Sequence, residues 1–131
     1  MNERKLLALA HCETDVQGSL QRFCGNEELY LSYLYDFLTE PTMGQLGRAV
    51  QDQTWNDAFI AAHALKGLAG NLGFVPLYHA AGELVVLLRA GRVDEVMDVY
   101  QQAKHSYNAL IEAISTGDED AIGGTQHDRE S

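Results

Sequence analysis

Apolar residues recur along this chain at intervals of three and four, the repeat of an amphipathic α-helix, and no segment alternates for long in the two-residue period of a strand. Val16 to Phe23 reads as a short helix stopped by Gly25. From Glu27 to Thr39, Leu29, Tyr30, Tyr33, Leu34, Phe37 and Leu38 step along one face, with Asn26 as N-cap and Glu27 and Glu28 at the positive end of the dipole. Pro41 interrupts, and Met43, Leu46, Ala49 and Val50 form a shorter, kinked extension. Thr54 with Asp57 resembles a capping box and opens a helix from Trp55 to Leu72 that ends at Gly73. Pro76 then suits the first turn of a helix whose stripe is Leu77, Ala80, Ala81, Leu84, Leu87 and Leu88, closed by Gly91. The last stripe runs from Val93 through Val96, Met97, Tyr100, Ala103, Tyr107, Leu110 and Ile111 to Ile114.

Helices joined by links this short lie antiparallel beside their chain neighbours. The expected fold is therefore all-α: an antiparallel up-and-down four-helix bundle with a short N-terminal capping helix. Residues 1–14 form an N-terminal segment, 15–116 the bundle, and 117–131, rich in Gly, Asp and Glu, a disordered acidic tail.

Charge narrows the partners. Nine Lys and Arg against nineteen Asp and Glu give a net charge of −10, which disfavours nucleic acid or an anionic membrane as the main partner. Leu6 to Ala10 is too short for a signal peptide, and Leu84 to Leu88 too short to span a bilayer. Cys12 and Cys24 have no metal-type spacing and read as free thiols. A cytoplasmic monomer is expected.

The helix from Trp55 to Leu72 carries residues that a bundle does not need. On a wheel of about 100° per residue, Ala58, Ala62, Leu65, Ala69 and Leu72 define the core side and leave His63 facing solvent. Gly67 and Gly70 fall within about 40° of His63, and Lys66 about 60° away. A helical glycine costs about 1 kcal/mol relative to alanine. Two of them flanking an outward histidine read better as a bare strip that another protein's cleft can approach than as helix packing. Lys66 is placed to neutralise part of a phosphoryl charge on the ring. Phe59 sits at the core edge beside His63, offering a docking partner something apolar to bury; Asn56, Ala64 and Asn71 lie along the same surface.

The run His63-Ala64-Leu65-Lys66-Gly67-Leu68-Ala69-Gly70-Asn71-Leu72-Gly73 closely resembles the phosphorylation signature of histidine-containing phosphotransfer (HPt) domains, His-x-Leu-Lys-Gly followed by Ala and a Leu-Gly pair. Asp15-Val16, Phe23 to Leu29, and Leu77, Ala81 and Leu84 extend the resemblance over roughly residues 15 to 115. Val85 and Phe74 depart from it: many relatives carry glutamate at the first position and a smaller residue at the second. The resemblance implies that His63 accepts a phosphoryl group, through Nε2, from a receiver-domain aspartate and passes it to another. Imidazole is the side chain that offers a neutral nitrogen nucleophile near pH 7. It further implies a phosphoryl carrier rather than an enzyme, with no cofactor of its own, Mg²⁺ being held by the receiver. Its partners would be response-regulator receiver domains or a hybrid sensor histidine kinase, and the chain would be cytoplasmic or the cytoplasmic portion of such a kinase. Met1 favours an independent protein.

No P-loop or kinase-type glycine loop accompanies the motif. His79 and His105 read as surface side chains, and His127 falls in the tail. His11 beside Cys12 lacks further ligands, and no Glu-x-x-His points to a bundle metal site. Asp118-Glu119-Asp120 is a solvated charge run, and Tyr30, Tyr33 and Phe37 are core aromatics with hydroxyls reaching outward. The alternative function is a helical adaptor that docks a receiver or kinase without being phosphorylated.

Overall fold

A computed structural model describes residues 1–118. Within them lie seven α-helices: α1 (Glu3–His11), α2 (Val16–Arg22), α3 (Glu27–Phe37), α4 (Thr42–Asp52), α5 (Trp55–Leu72), α6 (Val75–Arg89) and α7 (Val96–Ser115), the last preceded by a 3₁₀ turn at Val93–Glu95. The only β pairing among the described residues is an isolated bridge between Thr14 and Phe74. Helix α5 packs on α4 and α6, α6 on α7, and α7 returns to α4, closing a bundle of four. Its core holds Leu46 and Val50 of α4, Ala58, Ala62, Leu65 and Ala69 of α5, Leu77, Ala81 and Leu84 of α6, and Val96, Ala103, Leu110 and Ile114 of α7.

Small residues dominate α5's inward face, so its neighbours approach its backbone closely. Local stop signals hold where they depend on backbone geometry alone: Gly25, Gly73 and Gly91 all adopt positive φ just past a helix end. Asn26 caps α3 by accepting from the Leu29 amide at 3.0 Å. The Thr54 capping box does not form. The Thr54 hydroxyl instead donates back to the Ala49 carbonyl at 3.3 Å, serving the end of α4 rather than the start of α5.

Three further expectations change. The stripe on α3 is narrower than its sequence suggests: Tyr30, Leu34 and Phe37 are buried, while Leu29 and Tyr33 are exposed. The Tyr30 hydroxyl turns inward and donates to the Leu72 carbonyl at 2.8 Å. The N-terminal segment is not separate from the bundle. Asn2 caps α1 through the Arg4 and Lys5 amides, and α1 lies along α7 with Leu9 and Lys5 fully buried. The tail boundary also moves, since Gly117 is buried and Asp118 bonds both Lys5 and Tyr35. Residues 119–131, the rest of the expected acidic tail, lie outside the described residues. Val85 and Phe74 are both buried, Phe74 edge-on to Phe37 with ring centroids 5.0 Å apart.

Candidate functional site

Helix α5 is unusually well secured at its C-terminal end, where the last carbonyls of a helix lack intrahelical donors. The Arg22 guanidinium of α2 donates to the Gly70 carbonyl at 2.9 Å and the Asn71 carbonyl at 3.2 Å, Tyr30 takes the Leu72 carbonyl, and the Asp15 amide takes that of Gly73 at 2.7 Å. A cation at this end also complements the helix dipole. Arg22 is itself steadied by the Ser19 hydroxyl at 2.9 Å. The α2 segment thus fixes the platform that carries the histidine, a role its short sequence pattern did not advertise.

His63 is exposed on the middle of α5, opposite the buried Ala58, Ala62, Leu65 and Ala69. Phe59, one turn earlier, lies beside it with ring centroids 6.1 Å apart. Phe59 is half-buried, and the Arg89 guanidinium of α6 covers its ring at 5.5 Å. The apolar side chain most open near His63 is therefore Ile60, 59% exposed, which the helical wheel did not single out. Ala64 is exposed between His63 and a groove that includes Arg48, Asp52 and Ile60.

A shallow groove holds His63, Lys66, Gly67, Gly70 and Asn71 of α5 together with Arg22 and Tyr78. In a chain of net charge −10 this places two cations on the rim of one depression. Asn71 is exposed there, while Asn56 is exposed two turns toward the helix start, about 10 Å along the axis from His63. Asn56 does not line the groove.

The two glycines part company. A Cβ on Gly67 would meet nothing within 4 Å, so no contact inside this fold requires glycine there. A Cβ on Gly70 would lie 3.2 Å from two ring atoms of Tyr78, so this glycine makes room for a neighbour on α6. Gly67 therefore faces open space, whereas Gly70 has a close neighbour within the fold. Lys66 is half-buried. Its stem crosses Gly82, where a Cβ would touch it at 3.6 Å, and its Nζ lies 5.6 Å from the centre of the Tyr78 ring.

Besides Ile60, sequence reading missed Arg22, Tyr78 and Gly82 around this site. Tyr78 and Gly82 are spaced one turn apart on α6, which marks a shared face, but nothing in the sequence says that this face meets Lys66. His79 and His105 are exposed and do not line the groove, although the His79 ring lies 5.6 Å from that of Tyr78, and Cys12 and Cys24 are free thiols. Among the described residues no group of three or more His, Cys, Asp or Glu could hold a metal ion, and no helix is long and apolar enough to cross a membrane.

Comparison with known proteins gives one finding. The Hpt domain family matches residues 38–115, more than half of the 131 residues, spanning α4 through α7 and leaving α1, α2 and α3 outside. No curated protein and no solved structure matches the chain.

Proposed function

This chain belongs to the Hpt domain family, phosphocarrier modules of two-component signalling, and on that premise we propose that it relays a phosphoryl group between receiver-domain aspartates through His63. The observation that carries the reading is an exposed imidazole on a rigid helix, with open space over Gly67 on one side and a lysine in the same groove on the other. In the forward step Nε2 attacks phosphorus of the aspartyl phosphate. The N–P bond forms as the acyl P–O bond breaks, and the aspartate leaves as a carboxylate. The return step reverses these bonds at the acceptor's aspartate.

Little chemistry is asked of this chain, because transfer of a phosphoryl group depends mainly on position and charge neutralisation. His63 supplies the nucleophile. Lys66 offsets the phosphoryl charge, and the absent side chain at Gly67 lets the receiver's cleft reach the ring. Ile60, Ala64 and the covered edge of Phe59 give the receiver an apolar strip to bury, with Asn71 at the far end of the contact; Asn56 would join only a broad footprint. On this reading the protein is a carrier without ATP chemistry, Mg²⁺ belongs to the receiver, and the partners are receiver domains, free or within a hybrid sensor kinase, met in the cytoplasm.

The test is transfer itself. Incubation with a radiolabelled, phosphorylated receiver domain and Mg²⁺ should label the wild type and leave His63→Gln unlabelled, with the label lost in acid and kept in base. His63 is exposed, so the variant should retain its fold by circular dichroism. Binding without transfer across a broad receiver panel would establish the adaptor instead.

A further inference from the structure

Lys66 stands at the centre of an arrangement that its motif does not explain. Residues 66 and 70 of α5 face residues 82 and 78 of α6, pairs that run in opposite directions along the two helices. Gly82 has no side chain, and the Lys66 stem lies across the bare backbone there, its Cε and Cδ at 3.6 and 3.7 Å from where a Cβ would stand. The ammonium ends over the Tyr78 ring at 5.6 Å. That ring lies close against Gly70, where a Cβ would stand 3.2 Å from it and make it shift by a few tenths of an ångström. Gly70 thus eases the fit of the tyrosine, while the Lys66 stem passes Gly82 at ordinary contact distance.

We propose that Tyr78 is a positioning residue that holds Lys66 ready at the rim of the His63 groove and gives it up to the phosphoryl group. The proposal rests on the reading of His63 as the phosphoryl acceptor. Its physical basis is the kind of partner Lys66 has. A free lysine samples many rotamers, and ordering it during transfer would slow the reaction. Resting the stem on Gly82 and the head over a ring removes much of that freedom beforehand. Among the described residues Lys66 makes no ion pair. A carboxylate partner would hold the ammonium more tightly and would have to be displaced by the incoming anion. An aromatic face attracts the cation weakly and leaves its charge unneutralised, so the stronger charge-assisted hydrogen bond to a phosphoryl oxygen wins.

The experiment uses phosphoramidate as a small donor, which makes the result independent of any docking partner. A neutral ring nitrogen of His63 bonds to phosphorus as the P–N bond breaks, ammonia departs with its own protons, and the ring is left cationic. Label uptake is followed in wild type, Tyr78→Phe, Tyr78→Ala, Lys66→Ala and the Tyr78→Ala/Lys66→Ala double variant. Tyr78→Ala should slow uptake about two- to fivefold, the span set by an exposed cation–π contact. Tyr78→Phe keeps the ring and should match wild type. In the Lys66→Ala background, removing Tyr78 should change nothing further. Equal slowing by Tyr78→Ala with and without Lys66, a Phe variant as slow as the Ala variant, or no slowing at all would overturn the proposal. Uptake by wild type no greater than by His63→Gln would instead overturn the phosphoryl-acceptor reading and this proposal with it. The Lys66 Hε resonance, shifted upfield by the ring in wild type and Tyr78→Phe and released in Tyr78→Ala, then reports separately whether the contact exists. Tyr78 is 39% exposed, so none of these variants removes core packing.

Discussion

Two lysines of this chain lie over tyrosine rings, and they differ in everything else. Lys5 of α1 is 2% exposed, with its Nζ 5.1 Å from the centre of the Tyr35 ring, bonded to the Ile114 carbonyl and paired with Asp118 at 3.0 Å. Tyr35 completes the cluster by donating to the same Asp118 oxygen at 2.7 Å. Lys66 is half-buried, over Tyr78, with no anion beside it among the described residues. The aromatic contact is common to both and so does not separate structure from function. The anion does. Lys5 has its charge answered within the fold and serves to tie α1 to the end of α7; Lys66 keeps its charge available for a group that the fold does not contain.

Exchanging the two lysines for methionine is the sharpest way to break this comparison. Lys5→Met leaves Asp118 without its cation and should cost about 2 kcal/mol in a urea titration, with label uptake at His63 unchanged. Lys66→Met should move stability by less than about 0.5 kcal/mol while slowing label uptake about fivefold. If both variants lost stability and neither lost uptake, the division of labour between the two lysines would be wrong.

The glycines sharpen the same contrast between what the fold uses and what it leaves open. Gly67→Ala enters open space on a helix and should raise stability by about 0.5–1 kcal/mol. Transfer from a receiver should nevertheless fall, because the new methyl stands where the partner approaches; uptake from phosphoramidate should not. Gly70→Ala gains the same helix propensity but presses on Tyr78 at 3.2 Å, so its net change should lie close to zero. A Gly67→Ala variant that was destabilised would show an internal role for that glycine.

The Lys5 end of the molecule should also respond to alkali, as should the Tyr30 hydroxyl at the end of α5. Burial, and then its hydrogen bond to Asp118, push the Tyr35 hydroxyl above its ordinary value of 10.0, and burial does the same to Tyr30. A phenol whose folded-state pKa is raised contributes stability that is complete below the unfolded value and is lost as pH rises past it. Stability measured between pH 9 and 11 should therefore decline above about pH 10, and the decline should be shallower in Tyr35→Phe. The smallest effect concerns the thiols. Burial and the nearby Glu112 carboxylate push the Cys12 thiol up, whereas Cys24 is exposed. Iodoacetamide at pH 8 should modify Cys24 first, by a margin of about tenfold, as peptide mapping would show.

Much of this was legible in the chain itself. The helical period, the glycine stops and the Asn26 cap are local, since each depends on residues within one or two turns, and the structure forms them where the pattern places them. The exposure of His63 follows from the same arithmetic, because α5's apolar positions leave its ring only one direction. What misled the reading was asymmetry of partnership. Leu29 and Tyr33 have the right spacing for a buried stripe but stay exposed, and the Thr54 hydroxyl can either accept from the Asp57 amide, as a capping box requires, or donate to the Ala49 carbonyl, of which the sequence points only to the first.

The sequence by itself determined most of the helices and the outward-facing histidine with its lysine and glycines, because a 3.6-residue repeat and a short motif need nothing beyond their own segment. Its pattern does not mark α1, and it presents α4 as an extension of α3. Tertiary structure alone decided which glycine faces open space and which meets Tyr78, that Arg22 and Tyr30 hold the end of α5, and that α1 closes on Asp118. Most of these join residues far apart in the chain, and all depend on how whole helices pack, a collective outcome that no local pattern encodes.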